Sequence, residues 1–171
     1  MGKVEIEPVT TFHLYALQCI RNEENVRKEL RQVGLCFPEG QTRWFEGLIN
    51  DPNRHVFSIL LDGVVVGSCG LLDIDWVKRH AEISNFVCKK AQGQRVGYTA
   101  CRMLMKFAFE ELGLQTIYGF VLATNKRAIE FNKKIGQKMT GIFRERKFVS
   151  GKWIDEIIFD MTKKDYYDSL S

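Results

Sequence analysis

Long apolar runs are missing from this sequence. No stretch approaches the roughly 20 consecutive apolar residues of a membrane-spanning helix, and the first residues hold no signal-peptide hydrophobic region. Although the chain begins Met-Gly, Ile6 stands where an N-myristoylation signal places Ser or Thr. These absences argue against membrane partners, lipid anchoring and secretion, and a cytoplasmic protein is expected. Paired cysteines are missing too. Cys19, Cys36, Cys69, Cys88 and Cys101 are odd in number, widely separated and set in apolar stretches, so they spell neither a metal site nor a disulfide framework and read as reduced thiols. Charge of one sign is scarce: 25 basic against 21 acidic residues give +4, which suits a small anionic ligand and leaves no nucleic-acid footprint. Internal repeats and low-complexity linkers are also lacking. What remains, 171 residues of which 45% are apolar, is the size of one globular domain spanning residues 1–171.

Periodicity then orders the chain. Residues 3–8 alternate in polarity like a short strand that Pro8 ends. Leu14, Leu17 and Ile20 keep helical spacing, and a charged second helix over 23–33 should stop at Gly34. After a loop at 36–40, Trp44, Phe45 and Leu48 share a helical face in 41–50. His55–Leu61 and Val64–Leu72 flank Asp62-Gly63, a two-residue hairpin signal. A loop at 73–76 precedes a third strand at 79–88. A helix over 97–112 ends near Gly113, strand 116–122 follows, and a helix over 126–135 ends at Gly136. Strands 138–148 and 153–161 close the chain around a Ser150-Gly151 turn. The expected architecture is α/β (α+β): a mixed, mostly antiparallel sheet of about seven strands with helices on both faces. Strands 79–88 and 116–122 should run parallel, because a whole helix separates them.

The segment Gln92-Gly93-Gln94-Arg95-Val96-Gly97 lies between a strand and the longest helix. Such a junction presents backbone N–H groups and the positive end of the helix dipole to an anion. A plain turn with a helix cap is the competing reading.

Four segments carry a resemblance. The loop resembles the acetyl-CoA pyrophosphate loop of the GNAT superfamily of N-acetyltransferases, with Gln92 and Gly97 matching and Arg95 replacing the middle glycine. Asn125-Lys-Arg-Ala128 through Gly136 is similar to the family's following helix, with Asn132 where a tyrosine often stands. Gly141 to Met161 resembles the last hairpin of the ribosomal-protein and spermidine branches, and Arg21-Asn22 with the next helix resembles enzymes acting on nucleotide-linked amino sugars. The resemblance implies acetyl-CoA as the acyl-donor substrate, bound by Phe86, Val87, Cys88, Gln92, Gly93, Gln94, Arg95, Val96, Gly97, Tyr98 and Asn125, with the strands splayed where the pantetheine arm enters. It implies transfer to a small primary amine, an amino sugar or a polyamine, by direct attack, and a homodimer. A protein N-terminus as acceptor, or a non-catalytic acyl-CoA-binding regulatory domain, stays open.

A lysine-type amine, pKa about 10.4, is only about 0.1% neutral near pH 7, so a base near the nucleophile is useful. Alternation places His80, Glu82, Ser84 and Phe86 on one face of their strand. Glu82 is the candidate base by resemblance, and a glutamate salt-bridged to Arg79 or His80 is the alternative. Tyr98 is a candidate acid for the leaving thiolate, with Tyr118 and water as rivals. A cysteine acyl-enzyme using Cys88 or Cys101 with His80 is set against plain burial of those thiols. No metal signature is present.

Overall fold

The alternation of Val4 and Ile6 with Glu5 and Glu7 forms the edge strand β1 (Val4–Pro8) in the computed structural model, which describes residues 2–30, 34–149 and 151–170. A short 3-10 turn leads into α1 (Leu14–Asn22), then α2 (Glu24–Arg27) and α3 (Pro38–Ile49). Strands β2 (His55–Leu61), β3 (Val64–Asp75) and β4 (His80–Val87) form a meander, followed by α4 (Val96–Lys106), which a π-helical turn over Phe107–Glu111 extends. Next come β5 (Thr116–Leu122), α5 (Lys126–Lys134), β6 (Lys138–Val149), β7 (Lys152–Thr162) and α6 (Lys163–Asp168).

The seven strands form one sheet in the order β1-β2-β3-β4-β5-β7-β6. Every neighbouring pair is antiparallel except β4 and β5, where the α4 crossover enforces the parallel sense. At the β2–β3 turn Asp62 and Gly63 take φ 50° and 78°, the mirror-type turn that matches strand twist.

Alternation along the strands divides the core. Ile59, Cys69, Leu71, Ala81 and Ile117 meet Ala100, Cys101, Leu104 and Met105 of α4 in one cluster. On α4 these four residues repeat with helical period, so a single stripe is buried. A smaller cluster joins Leu17 of α1 and Leu48 of α3 to Val9, with Val56 and Phe86 packed against it. Burying a side chain such as Leu104 contributes about 2 kcal/mol, and the larger cluster holds α4 firmly under the site.

Several boundaries differ from the sequence reading. The second helix covers only Glu24–Arg27, and residues 31–33 of the expected 23–33 segment lie outside the described residues. Helix α3 begins at Pro38 inside the expected loop, because proline has no N–H to leave unpaired at a first helical position. Strand β3 runs through the expected 73–76 loop to Asp75, with a register shift between Leu72 and Asp75. The last helix, α6, was not expected. Of the Ser150-Gly151 turn, Ser150 lies outside the described residues, while Gly151 has φ 80°.

Candidate active site

Strands β4 and β5 share only three register pairs: His80 with Thr116, Ala81 with Ile117, and Glu82 with Tyr118. Beyond them β4 stays on β3 as far as Val87, and β5 stays on β7 as far as Leu122. Each strand follows its outer neighbour, sheet twist carries the two apart, and their inner edges lose the ladder that would pair them. At the start of the wedge Gly119 lies so close to β4 that a Cβ would stand 3.3 Å from the Ile83 carbonyl oxygen. A cavity of about 630 Å³ occupies the wedge.

The loop from β4 to α4 closes one end of it. Arg95 caps α4 with φ 62° and ψ 5°, a left-handed conformation that costs a non-glycine residue about 1–2 kcal/mol. The Thr99 N–H donates to the Arg95 carbonyl oxygen at 2.9 Å as the first turn closes. The N–H groups of Val96, Gly97 and Tyr98 therefore precede the helical ladder. With the helix dipole they form an anion-receptive end of the cavity. Gly97 permits close packing there, since a Cβ would lie 3.3 Å from Val87 Cγ2.

Gln92 secures the loop on both sides. Its Nε2 donates to the Val87 carbonyl oxygen at 2.9 Å, and its Oε1 accepts from Arg127 Nη1 of α5. Arg95 lies over the Tyr98 ring, 5.5 Å from its centre. Asn125 Oδ1 accepts from the Ala128 N–H at 2.9 Å and caps α5.

Of the residues singled out in the sequence, Glu82, Phe86, Val87, Gln92, Gly93, Arg95, Val96, Gly97, Tyr98 and Asn125 all line the cavity. Cys88 and Gln94 are not among its lining residues. The Cys88 N–H donates to the Val66 carbonyl oxygen at 2.8 Å, and Gln94 Nε2 donates to the Lys90 carbonyl oxygen at 2.7 Å. Asn132 lines the wall and donates to the Ala128 carbonyl oxygen at 3.0 Å.

Glu82 is 6% exposed and lines the wall with Ser84 and Phe86 of its own strand face, while Ile83, Asn85 and Val87 line it from the other face. His80 has a different acidic neighbour: its Nε2 is 3.6 Å from Asp75 Oδ2. Cys101 also reaches the wall, yet burial pushes its thiol up to about 12. A thiol at neutral pH is a poor nucleophile, which disfavours a cysteine acyl-enzyme. Among the described residues no group of three His, Cys, Asp or Glu is placed to hold a metal ion, and no helix is long and apolar enough to cross a membrane.

The half of the cavity away from α4 contains residues that sequence reasoning missed. Arg54 and Trp44 line it, as do Phe120 and Leu72. For Arg54 the signal is register rather than motif, since only the pairing of β2, β3 and β4 draws it to the site. A second cavity of about 660 Å³ adjoins this half and shares Arg21, Leu30 and Trp44 with it. Of the glutamates that could receive a polycation, Glu23 accepts from the Lys89 N–H, Glu24 pairs with Lys28, Glu29 lines the first cavity, Glu39 faces the second and Glu46 is exposed on α3.

Comparison with known proteins agrees with this geometry. Residues 9–158 match the acetyltransferase (GNAT) domain model. The Bacillus subtilis protein YdaF, provisionally named a ribosomal N-acetyltransferase, is 30% identical over 116 residues, 68% of this chain and 63% of that protein. Spermidine N(1)-acetyltransferase of Escherichia coli K12 is 28% identical over 109 residues, 64% of this chain and 59% of that protein. The alignments thus span about three fifths of the length of these curated relatives. The crystal structure of spermidine N-acetyltransferase from Vibrio cholerae in complex with CoA and spermine superposes with a TM-score of 0.90 at 18% identity, covering 96% of this chain and 98% of that one. The likeness fixes the fold: a seven-stranded, mostly antiparallel sheet with helices on both faces.

Proposed function

The chain belongs to the GNAT acetyltransferase family, and from that premise we propose that it transfers the acetyl group of acetyl-CoA to a primary amine of a small molecule by direct attack in a ternary complex. The observation that carries this reading is the parting of β4 and β5 after Glu82 and Tyr118, which opens a cavity running to the N-terminus of α4. The amides of Val96, Gly97 and Tyr98 would receive the pyrophosphate, with Arg95 and Arg127 adding positive charge. Phe86 and Val87 would meet the amide-rich arm along the open edge of β4, and Asn125 from the end of β5.

At Glu82 the acceptor nitrogen loses a proton to the carboxylate, directly or through one water. The nitrogen then forms a bond to the acetyl carbonyl carbon, a backbone N–H near Val87 receives the developing oxyanion, and the carbon–sulfur bond breaks. CoA leaves as a thiolate that takes a proton from water or from Tyr98, which lines the same cavity, and the surplus proton on the new amide nitrogen passes back to that donor through water. The relatives named for spermidine and ribosomal substrates support an amine acceptor, read here as an amino sugar or a polyamine.

We also read the protein as a cytoplasmic homodimer. Met139, Ile142, Phe148 and Trp153 of the terminal hairpin are about half exposed or more, an apolar surface that a second copy would cover. Its five cysteines are free. Light scattering of the purified chain tests the dimer.

The experiment that tests the activity is chromatographic detection of CoA and acetylated product from acetyl-CoA with spermidine, an amino sugar and short peptides. Turnover of a small amine supports the proposal. Preferred turnover of the peptides refutes the small-molecule reading, and failure to bind acetyl-CoA refutes the whole of it.

A further inference from the structure

Resting on that reading, we propose that the acceptor amine of this chain also carries an anionic group, a carboxylate or a phosphate, which Arg54 receives. Register supplies the geometry. Leu72 pairs with Glu82, and His55 pairs with Leu71, so Arg54, one residue before His55, falls level with Leu72 and Glu82 in one row across the sheet. All three line the cavity. With strands about 4.8 Å apart, the Arg54 and Glu82 backbones stand roughly 10 Å apart, and the long arginine side chain spans part of that gap. An amine bound at Glu82 therefore has a guanidinium within reach of a group a few bonds along the same molecule.

The charge census favours an anion at this place. Among the described lining residues Glu82 and the exposed Glu29 are the only carboxylates, against Arg21, Arg54, Arg95, Arg127 and Lys134. Arg95, Arg127 and Lys134 belong to the α4 and α5 end, where the donor's phosphates would lie. Arg21 and Arg54 belong to the acceptor half. Arg54 is half-buried and makes no ion pair among the described residues. A guanidinium so placed has lost part of its hydration without gaining a carboxylate, and its planar fork matches a carboxylate or phosphate in bidentate fashion. A polycation would find only Glu82 and Glu29 as carboxylates among the described lining residues, and would meet Arg54 beside them.

Matched acceptor pairs test the proposal on the full chain: glucosamine 6-phosphate against glucosamine for phosphate, and 6-aminohexanoate against hexylamine for carboxylate. Spermidine serves as the polycation. The expected result is that the anionic member of at least one pair has kcat/KM at least about tenfold above its neutral counterpart, with the larger gap identifying the anion. Arg54→Gln collapses that ratio towards one, and Arg54→Lys retains part of it. Calorimetry with acetyl-CoA on each variant checks that the donor end is intact. Preference for spermidine or the neutral amines, indifference of the ratio to Arg54, or failure of both anionic amines to react overturns the proposal. Loss of acetyl-CoA binding in the unmodified chain overturns instead the acetyltransferase reading beneath it.

Discussion

Glu82 stands opposite Tyr118 in the last register pair that β4 and β5 make before they part. The residue is thus held by the final rungs of an intact ladder while its side chain faces the cavity that the parting creates. A group placed this way is positioned by the sheet rather than by a loop, which favours a fixed geometry.

Replacing Glu82 by Gln keeps the shape of the side chain and removes its basicity. We expect kcat near pH 7 to fall by about 100-fold or more, within the range of general-base contributions, and the deficit to shrink as pH rises towards the amine's own pKa, about 10.4 for a lysine-type amine. Rates of product formation between about pH 6 and 9 check this. An unchanged profile would assign proton removal to water.

Gly67 predicts a packing defect that reaches the site. A Cβ there would stand 2.2 Å from the Phe86 carbonyl oxygen and 3.0 Å from the Val87 Cα, both backbone atoms that cannot rotate away. Gly67→Ala should cost about 3 kcal/mol, the upper end for overpacking, and should raise KM for acetyl-CoA because the end of β4 must shift. Urea denaturation and donor kinetics read the two effects separately. A stable variant with an unchanged donor KM would show that β4 is not held where this geometry places it.

Arg95 offers a comparison between two substitutions. Both Arg95→Gly and Arg95→Ala remove the guanidinium over Tyr98, but only glycine relieves the φ of 62°. The glycine variant should be more stable than the alanine variant by about 1 kcal/mol, although glycine is the worse residue in most helices. Denaturant midpoints of the two decide it, and equal stability would mean that the left-handed cap relaxes without cost.

Element order and the glycine-containing loop between β4 and α4 were legible because their signals are local. Asp62-Gly63 marks a hairpin, Gly113 marks the end of a helical stretch, and the helix between strands 79–88 and 116–122 requires them to run parallel. Glu82 was singled out by resemblance, and period-two alternation on its strand supplied the face it shares with Ser84 and Phe86. Arg54 was not, because its place beside the site depends on the β2–β3–β4 register, a relation among residues far apart in sequence. Cys88 and Gln94 were assigned by resemblance; neither is among the lining residues of the cavity, and the Cys88 N–H and Gln94 Nε2 donate to the Val66 and Lys90 carbonyl oxygens. Helix α6 escaped notice because it is only six residues long, too short for periodicity to register.

That last helix is nonetheless held by a capping box whose pH response is predictable. The Thr162 hydroxyl and N–H donate to Asp165 Oδ2, and the Asp165 N–H donates to Thr162 Oγ1. Lys138 of β6 adds an ion pair to Asp165 at 2.5 Å. The Lys138 contact, followed by the two Thr162 hydrogen bonds, holds the Asp165 carboxyl down from its ordinary 3.8 to about 2. The native state therefore binds fewer protons than the unfolded chain between those values. The contribution is present in full above about pH 4 and is lost as pH falls through about 2. Asp165→Asn should accordingly cost about 1 kcal/mol at neutral pH, the usual worth of a helix cap, with little added by the solvent-exposed lysine. Its stability should converge on that of the unmodified protein as pH drops from about 4 to 2. Urea denaturation of both proteins at matched pH follows the difference. Curves that stay parallel through that window would mean that Asp165 gains nothing from its charge, and that α6 is anchored by the burial of Tyr166 against Phe109 alone.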